Sequence, residues 1–305
     1  MLLHFGVETI QPEWPESIVS IGTFDGVHFG HQDVLRRNVE ASREHLCPSI
    51  VVTFDRNPSA VVHPERAPLS IASLNDNIRM LSRLNLSLCV ILEFGAALSR
   101  MSAQEFFDQI LIRRLRARKV VVGYDFAFGN GRQGTTDWLR ERIETEVVPP
   151  FEIDGVRVSS TTLRQCIAEG RVEEVTRLRG TPFEMPGVVI RGQQLGRTIG
   201  FPTINLARST NQIVPADGVY AGFCRCSQGE FLAAISIGMR PTVDGTHRTI
   251  EAFLLDYPGE SLYGESLSLG ITHRLRDEWK FETLEKMIDQ IHLDVAQTRS
   301  LGILS

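Results

Sequence analysis

Up to about residue 180 the chain alternates short apolar runs with longer amphipathic stretches, the pattern of a parallel sheet flanked by helices. Ser17–Phe24, Ile50–Phe54, Leu88–Leu92 and Lys119–Gly123 read as strands. Between them, Asp33–His45 and Ala103–Arg116 have helical spacing. In the second of these, Phe106, Phe107, Ile110, Leu111 and Leu115 share a face that Arg113, Arg114 and Arg116 avoid. Turn residues then cluster at Arg179-Gly180-Thr181-Pro182 and Pro186-Gly187, which places a domain boundary at about residue 183. Beyond it the rhythm shortens to GVVIRG, GVYAGFCRCS, EFLAAISIG, TIEAFLLDY and SLSLGITHRL, parted by Gly, Pro and Asp turns, which predicts a small antiparallel β-barrel. Glu282–Thr298 carries Leu284, Met287, Ile288, Ile291 and Val295 on one side and predicts a helix packed over that barrel. The expected architecture is an α/β domain of parallel sheet and helices over residues 1–182, then a β-barrel with a C-terminal helix over 183–305.

Composition narrows the function classes. A length of 305 residues suits two domains, and 42% hydrophobic with 23% charged residues is globular, which excludes collagen-like, coiled-coil and wholly disordered chains. The net charge of −5 argues against a polybasic surface for nucleic acid or membrane. Lysine occurs only at Lys119, Lys280 and Lys286, and none follows a glycine, so the Gly-Lys-Ser/Thr core of a Walker A loop is absent. Any ATP site here must use arginine, backbone amides or a metal. The five cysteines are scattered, with no C-x-x-C pair and no zinc-finger spacing. With no basic, apolar leader and no membrane-length apolar run, they predict a reduced, soluble, cytoplasmic protein.

Candidate chemistry begins where the first strand ends, in Gly22-Thr23-Phe24-Asp25-Gly26-Val27-His28-Phe29-Gly30-His31. Glycines permit a tight strand-to-helix turn, and helix N-terminal amides then face whatever anion sits at the switch point of the sheet. His28 and His31, framing Gly30, can both aim at a phosphoryl group and stabilise charge developing on it. Ser159, Ser160 and Thr161, ahead of another helical pattern, read as a capping cluster of hydroxyls and amides, to which Arg164 adds a forked charge one turn later.

In the second half, Gly192, Gly196 and Gly200 would let backbone approach phosphate oxygens closely. Thr203 and Asn205, two apart after Pro202, project to one side of an extended segment as hard oxygen ligands suited to Mg²⁺ bridging phosphates. Glu251 is an acid in the apolar run Thr249–Asp256. It is either a solvent-facing residue of an edge strand or a base that takes the proton from an attacking hydroxyl.

These strings resemble one family. FDGVHFGH is similar to the H-x-G-H phosphate motif of nucleotidylyltransferases, in the form found in bacterial bifunctional riboflavin kinase/FAD synthetases. VVGYDFAFGNGRQG (Val121–Gly134) resembles that family's G-x-D-F-x-F-G segment, and VSSTTLRQCIAEGRVEEV (Val158–Val175) its S-S-T-x-x-R segment. GRTIGFPTINL resembles the G-x-P-T-x-N signature of riboflavin kinases, with further agreement at Ile237–Thr242, Tyr263-Gly264 and Leu275–Phe281. The resemblance runs from about Ile18 to Arg299 and implies a Rossmann-like FMN adenylyltransferase domain followed by a riboflavin kinase barrel.

In the first domain the resemblance implies His28 and His31 as catalytic, with Gly22, Phe24, Asp25, Gly26, Gly30, Ser159, Ser160, Thr161 and Arg164 around the ATP phosphates. Asp125, Phe126 and Phe128 would shape the nucleotide and flavin pocket. In the second domain it implies Gly192, Gly196, Arg197, Gly200 and Pro202 on the phosphates, Thr203 and Asn205 at Mg²⁺, and Glu251 as base. Riboflavin, FMN and ATP are the implied ligands and FAD the product. Two departures stand out: Phe54-Asp55-Arg56-Asn57-Pro58 where the family has F-x-P-H-P or a relative of it, and Thr23 where Asn is common. Two other readings fit the same strings: a riboflavin kinase with an impaired adenylyltransferase domain, and a non-catalytic flavin-binding protein. Glu251, Thr203 and Asn205 speak against the second, because a binder has no need of a base.

Overall fold

The computed structural model describes residues 1–8, 10, 15–192, 195–209, 211–242, 245–259 and 261–304; the side chains of 195, 197 and 240–247 also lie outside the description. The chain divides into two compact units, Met1–Ser160 and Thr161–Ser305.

The first unit is built on six parallel strands: β1 (Leu2–Phe5), β2 (Ser17–Ile21), β3 (Ser49–Phe54), β4 (Leu88–Leu92), β5 (Ala117–Gly123) and β6 (Glu144–Val148), in the order β1-β4-β3-β2-β5-β6. The four strands read from the sequence are the central ones. In β2 and β4 every residue is buried, as expected where helices cover both faces of a parallel sheet. The edges β1 and β6 escape the apolar pattern because they are less buried: Leu2 and Phe5 are exposed, and β6 reads ETEVV. From β2 the chain proceeds outward through β3 and β4, then returns to add β5 on the other flank of β2. The order therefore reverses beside β2, so a crevice is expected at the carboxyl ends of β2 and β5.

Helix α1 (Phe29–Glu44) starts four residues earlier than its spacing suggests, capped by His28. Its buried Asn38 donates to the Ile18 and Ile50 carbonyls and to Ser20 Oγ, pinning the helix across two strands. Helix α2 (Leu74–Leu81) is capped by Ser73. The stretch from Ala103 begins as an α-turn with a Ser102/Glu105 capping box and passes into a π-helix over Phe107–Arg114. Its expected apolar face is nevertheless intact, with Phe106, Phe107, Ile110, Leu111 and Leu115 all buried.

The second unit opens with α3 (Ser160–Ala168, its first residue at the junction) and α4 (Val172–Arg179), which ends at Gly180 in the left-handed region. Both are tied to the barrel: the Glu173 carboxylate accepts the Arg274 amide at 2.9 Å, and the Glu169 carbonyl accepts Arg274 Nη1 at 2.9 Å. These contacts group residues 161–182 with the barrel by compactness, although the turn residues cluster after them.

Six antiparallel strands close the barrel: β7 (Phe183–Ile190), β8 (Thr203–Ala207), β9 (Gly218–Cys226), β10 (Gly229–Thr242), β11 (Gly245–Leu254) and β12 (Ser266–Arg276), in the order β7-β8-β11-β10-β9-β12. Five follow the apolar runs; the sixth, β8, is the segment that carries Thr203 and Asn205. The one-turn helix α5 (Leu195–Thr198) precedes it.

Helix α6 (Leu284–Ser300) packs less by its apolar stripe than its spacing implies. Leu284 is 56% exposed, whereas the most buried residues of the helix are Asp294 and Thr298. Asp294 accepts a forked pair of bonds from Arg276 at 2.7–3.1 Å and a further bond from Gln290. A buried ion pair thus anchors the helix, and the stripe contributes half-buried cover.

Candidate active sites

At the carboxyl end of β2 the chain turns through Gly22–Val27 into α1. His28, 5% exposed, accepts the His31 amide on Nδ1 at 3.2 Å. A ring nitrogen that accepts cannot hold the proton, so neutral His28 carries it on Nε2, where it can donate to an anion. His31 stacks on His28 with centroids 3.6 Å apart, and the edge of Phe24 meets His31 at 5.3 Å. A Cβ at Gly30 would stand 3.2 Å from the His28 ring and 3.3 Å from the Val158 carbonyl, which explains the glycine between the histidines. The cap takes the His31 amide at the positive end of a sixteen-residue helix.

Three residues expected at the phosphates make inward contacts. Phe24 is 3% exposed and buttresses His31. The Asp25 carboxylate accepts the Ile71 and Ala72 amides at 3.0–3.1 Å. The Gly26 amide donates to Asn77 Oδ1 at 2.9 Å. All three shape the loop from behind. Gly22, whose Cβ would crowd the Phe24 ring at 3.1 Å, stays at the strand end, and Ser160 Oγ donates to the Asp25 carbonyl at 3.2 Å. Ser159 is half-buried just before α3; Thr161 and Arg164 lie on α3 in the second unit.

The expected aromatic pocket resolves into core and surface. Phe128, 8% exposed, packs among Phe106, Phe126 and Trp138 in the core. Phe126 is half-buried against the same core. Asp125 is exposed beyond β5, 3.7 Å from the Arg157 guanidinium.

The altered segment after β3 is satisfied locally. Arg56 pairs with Asp55 at 2.7 Å, Phe94 donates its amide to Asp55 at 2.8 Å, and Asn57 Oδ1 accepts the Ser59 amide at 3.0 Å. Partial burial pulls the Asp55 carboxyl up, but the Arg56 guanidinium and the Phe94 amide outweigh it and hold it below the usual carboxylate range.

In the barrel, strand register assembles the site. Asn205 pairs with Ile190 on one side and Glu251 on the other, and Glu251 pairs in turn with Ser236, giving one row across four strands. Thr203, two residues before Asn205, shares its face and donates from Oγ1 to Glu251 Oε2 at 3.2 Å. Glu251 is half-buried on β11, between β8 and β10, and in a closed barrel it stands on no edge strand.

A Cβ at Gly192 would run into the Asn205 amide, so that glycine makes room for a candidate metal ligand. Gly200 has φ +88° and open space around it, leaving backbone accessible to a ligand. The Gly196 carbonyl closes the turn by accepting the Phe201 amide at 2.8 Å, and exposed Pro202 follows. The Arg197 side chain lies outside the described residues. Sequence reasoning missed Ser236, Gln32 and Asn77. Gln32, next to His31, and Ser236, just before Ile237–Thr242, sit beside motifs; the contact of Asn77 spans 51 positions.

Comparison with known proteins bears on both units. A family model described as FAD synthetase matches residues 10–162, and one described as riboflavin kinase matches residues 179–301. Proteins named bifunctional riboflavin kinase/FMN adenylyltransferase are 36% identical in Pseudomonas fluorescens (99% of this chain, 98% of that one) and 33% in Haemophilus influenzae (92% and 93%). The Escherichia coli K12 protein of that name is 32% identical over 92% of this chain and 91% of its own. A crystal structure from Streptococcus pneumoniae, described as a macrolide-efflux protein, has a TM-score of 0.88 at 32% identity and covers 98% of this chain and 99% of its own. Its description names efflux, yet no helix among the described residues here is long and apolar enough to cross a membrane. The two family matches in tandem, with relatives alike from end to end, place the chain in the bifunctional riboflavin kinase/FMN adenylyltransferase family.

Proposed function

We propose that residues 1–182 and 183–305 each carry one of the family's two reactions on the residues described above. As a member of the family the chain phosphorylates riboflavin to FMN and adenylylates FMN to FAD, using ATP in both steps. The observation that carries the residue assignment is the convergence of Thr203, Asn205 and Glu251 on one barrel face.

In the kinase step the Glu251 carboxylate takes the proton of the ribityl 5′-hydroxyl as that oxygen attacks the γ-phosphorus of ATP and ADP departs. The Thr203 hydroxyl, 3.2 Å from Oε2, orients the carboxylate. The Thr203 hydroxyl and the Asn205 carbonyl are hard oxygen donors fit for Mg²⁺, and the space that Gly192 leaves for Asn205 supports that fit. When bound, Mg²⁺ would neutralise phosphate charge. Among the described residues no cluster of three His, Cys, Asp or Glu side chains could hold a metal unaided, which favours a site completed by phosphate oxygens.

In the adenylylation step an FMN phosphate oxygen attacks the α-phosphorus of ATP, and the bond to the bridging oxygen breaks to release pyrophosphate. His28 Nε2 and His31 stabilise the added charge, joined by the N-terminal amides of α1, by Ser159, Ser160 and Thr161, and by Arg164. Arg56, engaged with Asp55, leaves this role to the histidines. A cytoplasmic setting, reducing and rich in ATP, fits five free cysteines.

Incubating the protein with riboflavin, ATP and Mg²⁺, and in parallel with FMN, ATP and Mg²⁺, tests this directly by chromatography of the flavins. FMN followed by FAD is expected. FMN without FAD, even from supplied FMN, would leave a riboflavin kinase joined to an impaired adenylyltransferase domain.

A further inference from the structure

The loop leading into His28 is held against its own preference. Phe24 and Val27 have φ +46° and +39°, the left-handed region that bulky and β-branched side chains disfavour. Such a conformation persists only where the surroundings over-determine it. Thr53 Oγ1 donates to the Thr23 carbonyl at 3.2 Å, and Asp25 is tied to the Ile71–Ala72 amides. Two further side-chain contacts to the loop have opposite sense. Gln32 Nε2 donates to the Val27 carbonyl at 2.8 Å, and Asn77 Oδ1 accepts the Gly26 amide at 2.9 Å.

The Gly26 amide belongs to the peptide plane before Gly26 and the Val27 carbonyl to the plane before His28, so the two contacts lock the planes on either side of Gly26-Val27. They come from separate elements, Gln32 from the first turn of α1 and Asn77 from α2. We propose that Asn77 and Gln32 are positioning residues for adenylyl transfer, which aim His28, and the His31 stacked on it, at the reacting phosphates. Neither touches the reacting atoms. The inference rests on the reading of His28 and His31 given above.

The chemistry of each contact dictates its test in the full-length protein. Asn77 serves only as an acceptor, so Asn77→Asp preserves the contact and Asn77→Leu, similar in size, abolishes it. Gln32 serves as a donor, and Gln32→Glu sets an anion against a carbonyl. With FMN and ATP as substrates, Asn77→Leu and Gln32→Glu are expected to lower kcat for FAD formation by roughly tenfold or more while KM for ATP changes little, as for a catalytic group misplaced by a fraction of an ångström. Asn77→Asp retains FAD formation, and FMN formation from riboflavin, measured in the same samples, is unchanged throughout. Where Asn77→Leu does not fold, Asn77→Ala, which only removes atoms, takes its place with the same expected loss.

Wild-type kcat in Asn77→Leu and Gln32→Glu would overturn the inference, as would an Asn77→Asp variant that falls as far as Asn77→Leu. His31→Ala, run alongside, separates the two levels. Loss in His31→Ala with normal positioning variants removes this inference alone. Full FAD formation in His31→Ala removes the reading of the histidine pair and this inference with it.

Discussion

In the barrel, Thr203, Asn205 and Glu251 meet because two strands pair in register and side chains repeat every second residue. At the end of the parallel sheet, His28 and His31 meet because a buried loop is bent into the left-handed region and tied there by distant side chains. The barrel site therefore inherits its geometry from backbone hydrogen bonding, which tolerates variation in the surrounding side chains. The loop at the sheet end is held by particular side chains from α1, α2 and the Ile71–Ala72 segment. The same contrast runs through the scaffolds. A closed barrel has no edge, whereas the parallel sheet ends at β6, which is stitched to Lys119 of β5 by Glu144 and Glu146 at 3.4 and 3.0 Å.

The sharpest test of separate sites is Glu251→Ala. It is expected to reduce FMN formation by about 10²–10⁴-fold, the usual contribution of a general base, and to leave FAD formation from supplied FMN intact. Next in size, His31→Ala should lower FAD formation by about 10²–10³-fold while sparing FMN formation, read in the same chromatographic assay. If both variants lost both activities with the fold intact, the division of labour would fail.

A smaller effect probes how each site tolerates a methyl group. Gly192→Ala pushes on the Asn205 amide and should raise the Mg²⁺ concentration needed for FMN formation, with a loss on the order of tenfold, as expected when a ligand's support is disturbed. Gly30→Ala meets its neighbours at 3.2–3.3 Å and should lower FAD formation by less. The reverse order would make the ladder, and not the loop, the more tolerant device.

The smallest effect concerns the sheet edge. Burial alone would raise the Glu146 carboxyl, but Lys119 and Arg37 outweigh it and hold it below the usual carboxylate range. A depressed folded value means that its stabilisation is present above the unfolded value of about 4.3 and is lost as pH falls through the folded one. Glu146→Gln should thus lower the thermal midpoint slightly near pH 7, and the gap from wild type should close as the pH falls toward 3. A gap that stayed constant with pH would assign the effect to packing and not to charge.

Much of both sites was legible along the chain because local rules govern it. Glycines beside histidines mark a turn, alternation marks a strand, and an acid among apolar residues is conspicuous. What escaped notice lacked a local signal. Asn77 sits in an ordinary amphipathic helix and Ser236 in an ordinary strand, and only pairing shows what each faces. Phe128, inside a motif-like string, shows what the string could not: its ring packs in the core.

By itself, the sequence determined the two-domain alternation, the four central strands and five of the six barrel strands, since periodicity and turn chemistry act over a few residues. Only the tertiary structure decided that Phe24, Asp25 and Gly26 turn inward, that Glu251 lies between Asn205 and Ser236, and that α6 is anchored by Arg276 and Asp294. The physical reason is that burial and hydrogen bonding depend on neighbours far along the chain, 46 positions for Asp25 with Ile71 and 51 for Gly26 with Asn77, and a local pattern carries no record of which distant partner will arrive.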